Sequence, residues 1–260
     1  MKKLFMMMAC SLLVLVNFAN PSKNTPRDYY LIQIYHCSST KQIENIDAYL
    51  QNTLLPYLHQ NGIAKVGVFA PIANDTALDK RLYVWIPLKS INELDALDQK
   101  IENLDPMGND AVIHLENADS SLPYNRFEKI LTRAFKFQTQ YVTKSNLTKS
   151  SSRVFEYRSY ESPTENMHLR KVHMFNEGGE VDLFARLNFN PIFYSKVIAG
   201  SRMPNLIYMT SFNNMEDRNA HWKSFTEDPL WKKISVAKEY LKTVNRNETI
   251  LMSARDYADF

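Results

Sequence analysis

Cysteine and glycine are scarce in this sequence, and each scarcity closes off a class of chemistry. The two cysteines are Cys10 and Cys37. Cys10 lies inside an N-terminal apolar run, so a chain processed after that run keeps Cys37 alone and can form no intrachain disulfide. Six glycines leave little for phosphate-cradling loops, and no GxSxG, P-loop or dinucleotide fingerprint is present. HExxH and Cys/His pairs are also missing, and His168 and His173 are five apart rather than the three or four that align side chains on a helix face. No metal site and no cofactor are therefore expected. Excess charge of one sign is lacking too. Loss of Lys2 and Lys3 with a leader, from 31 basic and 28 acidic residues, leaves a formal net charge of about +1, which argues against nucleic acid as a partner.

What is present begins with a leader. Lys2 and Lys3 precede an apolar stretch from Leu4 to Val16, and Ala19 offers a cleavage point, so residues 1–19 read as a signal peptide. The stretch is shorter than the ~20 residues a membrane-spanning helix needs. The residues before Cys10 fit a lipobox poorly. Export to the periplasm or beyond, with no stable membrane span, is the expectation.

The remaining chain repeats itself. YYLIQIYH (Tyr29 to His36) and RVFEYRSY (Arg153 to Tyr160) read as matching strands, as do RLYVWIPL (Arg81 to Leu88) and NLIYMTSF (Asn205 to Phe212). Tyr35 to Tyr83 and Tyr160 to Tyr208 are both separations of 48 residues. Each second strand runs into a helical pattern closing on Asp-Pro, at Asp105-Pro106 and Asp228-Pro229. With EKILTRAF and ETILMSAR as final strands, each half reads strand, helix, strand, strand, helix, strand. The expected organisation is an α+β chain of two tandem ferredoxin-like modules, residues 27–143 and 153–257, joined by the polar linker 144–152. In the first half a helix is expected from Ile43, with Asn61-Gly62 as its stop. In the second, a helix is expected to start near Ser162-Pro163 and break at Gly178-Gly179.

AHWKSFTEDPLWKKI, residues 220 to 234, reads as a bent helix pair, because proline disfavours helix at the residue before it and Asp228 can cap a second helix. Leu230, Ile234, Ala237 and Leu241 give that second helix an apolar stripe.

VFEYRSYESP (Val154 to Pro163), MFNEGGE (Met174 to Glu180), PIFYSKVIAG with MPNLIYMTSF (Pro191 to Phe212) and RNAHWKSFTEDPLWKKI (Arg218 to Ile234) together resemble the NIPSNAP family, in particular secreted bacterial members with two tandem modules. The first half is more divergent, with Met107 after its Asp-Pro pair. The resemblance implies a dimeric α/β-barrel arrangement, closed here within one chain, with a further homodimer optional. Related barrels include cofactor-independent monooxygenases and haem-handling proteins, a likeness of fold only.

Glu156, Arg158 and Tyr160 share one strand face, and two charges on one face of a covered sheet demand pairing or a polar cavity. The candidate ligand pocket is Glu156, Arg158, Tyr160, Tyr208, His221 and Trp222, with Arg158 holding an anion. The competing reading is a structural Glu-Arg network at the seam between the halves. Arg186, Arg202 and Arg218 are expected in surface or loop ion pairs. Cys37 follows His36, but strand neighbours point to opposite faces, so the two do not form a nucleophile-base pair. No catalytic residue is assigned. The leading expectation is an exported protein that binds a small ligand or a protein partner; the alternative is a cofactor-independent, monooxygenase-like enzyme using a barrel cavity.

Overall fold

Apolar residues on every second position of the sequence's strands fit a sheet with one face turned to a shared core, while the residues between them face a helical layer. The computed structural model describes residues 25–102, 122–142 and 150–260. Its strands are β1 (Tyr29–Cys37), β2 (Gly67–Pro71), β3 (Lys80–Leu88), β4 (Arg126–Ala134), β5 (Val154–Glu161), β6 (Asn190–Ala199), β7 (Asn205–Phe212) and β8 (Arg246–Ala254). They close into one barrel in the order β1-β3-β2-β8-β5-β7-β6-β4. Every pairing is antiparallel. The result is a mixed α/β fold built on an eight-stranded antiparallel barrel. Two pairings join the halves: β2 with β8, where Phe69 faces Ala254, and β4 with β6, where Ala134 faces Ser195.

The helices lie outside the barrel. Ser39 caps α1 (Thr40–Tyr49) by accepting from the Gln42 N–H, and the helix continues through a π-helical turn, Leu50–Leu54, into α2 (Leu55–Gln60). The single helix expected here thus contains a wide turn. Its position fits Pro56, which has no N–H for the carbonyl four residues back and crowds it sterically. After β3 comes α3 (Ile91–Glu102).

In the second half, Thr164, not Ser162, caps α4 (Glu165–Phe175), accepting from the Met167 N–H. Gly178-Gly179 separates α4 from α5 (Glu180–Arg186). Gly179 has φ of 88°, a left-handed conformation that glycine adopts without cost, and a Cβ at Gly178 would lie 2.5 Å from the Met174 carbonyl oxygen. The helix pair expected around Asp228 is present as α6 (Met215–Glu227) and α7 (Pro229–Ile234), and Asp228 Oδ1 accepts from the Leu230 N–H at 2.8 Å. Its apolar stripe is shorter than expected. The helix ends at Ile234, and Ala237 and Leu241 bracket a 3-10 turn, Lys238–Tyr240. Residues 1–19, Asp105-Pro106 and most of the 144–152 linker lie outside the described residues.

Three apolar clusters follow from this layering. Tyr30, Trp85, Phe69, Phe155, Phe193 and Met252 belong to the one inside the barrel, to which all eight strands contribute. Ile46, Leu50 and Leu58 belong to the cluster between the first-half helices and the sheet. Phe175, Phe184 and Phe225 belong to the corresponding cluster of the second half. Phe193 of β6 packs on Tyr30 of β1 at 5.1 Å and on Trp85 of β3 at 5.7 Å, so the two halves share one interior. Phe193→Ala should therefore cost about 3–5 kcal/mol and shift a single urea transition seen alike by circular dichroism and tryptophan fluorescence. Two separate transitions would show that the interior is not shared.

Candidate functional site

Alternation along β5 sends Phe155 and Tyr157 into the barrel and Glu156, Arg158 and Tyr160 outward, beneath α6. Glu156 has no exposed surface and is the centre of the outer group. Its Oε1 accepts from Arg158 Nε at 2.7 Å and from Arg218 Nη2 at 3.1 Å. Its Oε2 accepts from Arg218 Nε and from the Trp222 indole N–H, both at 2.8 Å. Arg158 then lies over the Trp222 ring, its guanidinium carbon 4.0 Å from the ring centroid, and donates from Nη1 to Tyr160 Oη at 2.9 Å. The Tyr160 and Tyr208 hydroxyls are 3.1 Å apart. Burial works to raise the Glu156 carboxyl, but the Arg218 hydrogen bond, the Arg158 charge and the Trp222 bond outweigh it and hold the group below the ordinary carboxylate range.

Five of the six sequence candidates are thus brought together. His221 is not among them: Nδ1 contacts the Asp217 carbonyl at 2.8 Å, and the ring packs on Phe189 and Phe212. Trp222 and His221 are neighbours on α6 and both touch Phe189, but only Trp222 reaches the Glu156 carboxylate. The group also lies at neither of the expected places. It is not at the seam, because all its residues belong to the second half, and it does not line a barrel cavity, because β5 turns it outward. Arg218, expected on the surface, reaches a fully buried carboxylate. Its position four residues before Trp222 was the available signal, since that spacing puts both on one helix face.

A second buried pair adjoins it. Lys171 of α4 and Glu180 of α5 meet at 3.2 Å, and the Lys171 ammonium lies over the rings of Phe175, at 4.7 Å, and Tyr160, at 5.5 Å. Burial raises the Glu180 carboxyl despite the Lys171 charge.

At one end of the barrel interior the polar residues are tied to one another. His36 approaches Asp79 through Nδ1 at 2.9 Å and Glu128 through Nε2 at 2.8 Å, and Glu128 also accepts from Ser201 Oγ at 2.6 Å. Arg81 joins Asp79, Tyr83 and Glu248, and Arg202 also bonds Glu248. The space left among them is about 10 Å³, room for about one water. Cys37 points the other way, into the helix-side cluster, and burial pushes its thiol up to about 11. A thiol so raised is a poor nucleophile at neutral pH.

Two wider concavities are lined by other residues. One, of about 230 Å³, lies between the α2–β2 connection and α3, with Ile63, Pro87, Lys89, Leu97 and Tyr141 on its walls. Another, of about 160 Å³, is lined by Arg153, Phe155, Ser253, Arg255 and Phe260. Neither includes a sequence candidate. Among the described residues, no group of three or more His, Cys, Asp or Glu side chains is placed to hold a metal ion.

Removing the Glu156 charge leaves two arginines facing a neutral group, so Glu156→Gln should cost about 3–5 kcal/mol at neutral pH. Because the folded-state pKa lies below the unfolded one, the carboxylate's contribution is whole above the ordinary carboxylate range and fades as pH falls through the folded value. Urea unfolding of parent and variant from pH 7 to pH 3 should show the gap narrowing at the acid end; a gap independent of pH would remove the ionised Glu156 from the account.

In comparisons with known proteins, a proposed monooxygenase from Lactobacillus acidophilus NCFM is similar at 12% identity and a TM-score of 0.50, over 88% of this chain and 94% of that one. A second proposed monooxygenase, from Fusobacterium nucleatum, is similar at 8% identity and a TM-score of 0.51, over 88% and 92%. At such identities the likeness is one of fold. An uncharacterised NIPSNAP-like domain protein from Burkholderia xenovorans aligns with 43% of this chain and 92% of its own, at 14% identity and a TM-score of 0.39. No curated protein matches significantly. Residues 155–258, most of the second half of the chain, match the NIPSNAP family model.

Proposed function

We propose that this chain is an exported, small-ligand-binding member of the NIPSNAP family. In this reading residues 1–19 are removed on export to the periplasm or the medium, and the mature chain consists of two ferredoxin-like modules, 27–143 and 153–257, linked by 144–152. The matching order of strands and helices in the two halves supports the duplication. Two modules in one chain complete the barrel that a dimer of single modules would form, so a further homodimer is optional.

The observation that carries the binding role is the contrast between sealed and open polar groups. Glu156, Arg158, Arg218 and Trp222 are spent on one another beneath α6. The 230 Å³ cleft instead combines an apolar wall, an aromatic ring and a half-exposed ammonium: Lys89, paired with Asp28 at 3.0 Å, lies 5.4 Å from the Tyr141 ring centroid. That mixture of apolar lining and a few polar groups is what small-molecule sites use. The enzyme alternative stands below it, since Arg158, Tyr160 and Tyr208, the residues it relied on, lie outside the barrel interior.

Native mass spectrometry of the protein recovered from a secreting host, compared with the denatured sample, tests this directly. A retained small-molecule adduct on a chain lacking residues 1–19 is expected. Ala96→Trp, which fills the cleft without disturbing the Lys89–Asp28 pair, should abolish the adduct. An adduct that survives Ala96→Trp would move the site elsewhere, and an adduct-free chain with its leader intact would overturn the proposal.

A further inference from the structure

The barrel end opposite the polar plug is closed by aromatic rings, one of them carried by a strap that crosses from the second half to the first. After β8 the chain runs along the first half. Arg255 N–H donates to the Val68 carbonyl, and the Arg255 side chain and the Tyr257 hydroxyl both donate to Asp47. Asp259 N–H donates to the Val66 carbonyl at 3.1 Å, and its carboxylate accepts from the Val66 N–H at 2.7 Å and faces His59 at 2.9 Å. Among the described residues no backbone hydrogen bond holds Phe260, the next residue. Only its ring is engaged: 5.7 Å from Trp85, 5.8 Å from Phe69 and 6.3 Å from Phe155, all three side chains of the barrel interior.

The surroundings of that ring have the features of a binding site. The concavity of about 160 Å³ lies directly beside it, sharing Phe155 and Phe260 as its aromatic walls, with Ser150, Ser151 and Ser253 among the polar residues of its remaining lining. Lys65 stands over the Phe260 ring at 5.5 Å and donates to a backbone carbonyl, that of Asp259, at 2.9 Å, not to a carboxylate. Arg153 adds positive charge to the cavity wall and Asp256 negative charge, while Arg255 in the same wall is ion-paired with Asp47. Two polar groups of the same ring cluster, the Trp85 indole N–H and the Tyr30 hydroxyl, are buried without a hydrogen-bond partner among the described residues, a state that is rare and costly unless something answers it.

We propose that the aromatic end of the barrel binds a small planar aromatic anion, and that Phe260 occupies the ring position of that ligand and gates access to it. A ligand ring entering where Phe260 sits would keep the edge-on contacts with Trp85 and Phe155 and the tilted contact with Phe69. Its carboxylate would take the Lys65 ammonium from the Asp259 carbonyl, exchanging a neutral hydrogen bond for a charge-assisted one. The strap need not detach for this, since Asp47 and the Val66–Asp259 bonds hold it up to residue 259. The inference rests on the binding reading above but concerns a different pocket.

The test uses the whole chain and 2-naphthoate, with 2-naphthylmethanol as its uncharged counterpart, read by calorimetry. Phe260→Ala should bind 2-naphthoate about tenfold or more tightly than the parent, because the competing ring is gone. Phe260→Leu should fall between them, and the alcohol should bind more weakly than the acid. Adding Lys65→Met to Phe260→Ala should cost about tenfold for the acid alone. Native-like circular dichroism qualifies each variant, and Phe260→Leu serves if the alanine variant does not fold. Equal affinity of parent and folded Phe260 variants overturns the gate, and affinity indifferent to Lys65 overturns the anion assignment. An adduct lost in Ala96→Trp, together with no gain in either Phe260 variant, overturns this inference and leaves the binding reading standing.

Discussion

Closure of the sheet is the constraint from which the rest follows. Once β2 pairs with β8 and β4 with β6, no sheet edge remains, and each strand residue has only two destinations, the interior or the helical layer. Period-two alternation then assigns them. A one-residue slip in β5 would bring Glu156 and Arg158 into the barrel interior, where the nearest charges, Arg81, Glu128, Arg202 and Glu248, are already paired with other groups, and would strip them of Arg218 and Trp222. The register of β5 against β7 and β8 is therefore held by electrostatics as well as by apolar burial.

The outer network shows how a carboxylate with no exposed surface is kept charged. Desolvation alone would drive Glu156 towards protonation. Four short hydrogen bonds from two guanidinium groups and one indole answer both oxygens, and two of the three donors come from α6, one helical turn apart. The helix is therefore docked by directional bonds to the sheet, in addition to the burial of Phe225. This also explains why α6 carries polar residues along much of its length without losing its position: a helix with a modest apolar stripe needs another anchor. The anchor consumes the donors that an anionic ligand would require.

Much of the architecture was legible in the sequence because strand periodicity, turn chemistry and internal repetition are local signals. Asn205–Phe212 was bounded correctly by its apolar and β-branched run, and the Asp228 corner by the backbone demands of proline. The group around Glu156 was legible only in part. Residues two apart on β5 must share a face, so Glu156, Arg158 and Tyr160 were found together, but whether that face looks into the barrel or out of it depends on closure, which no local pattern encodes. Arg218 was missed because its partner lies 62 residues away, although its place one turn before Trp222 marked the helix face it shares. The ion-paired cluster of His36, Asp79, Glu128 and Arg81 draws on three strands and a connection, and nothing in the spacing of those residues connects them.

The two barrel ends differ in what it would take to open them, and this difference favours the aromatic end as the adaptable one. At the polar end, admitting a ligand means separating Arg202 and Arg81 from Glu248 and His36 from Asp79 and Glu128. Each step leaves charges to be resolvated in a space of about 10 Å³. At the aromatic end, the closing contact is a ring on the residue just past the last strap hydrogen bond, beside a cavity already present. Ring contacts are non-directional apart from modest orientational preferences, so a ligand ring can replace them at little net cost, whereas a charge network must be matched donor by donor. One end is consequently built to hold the halves together, and the other can exchange an internal aromatic group for an external one without disturbing that hold.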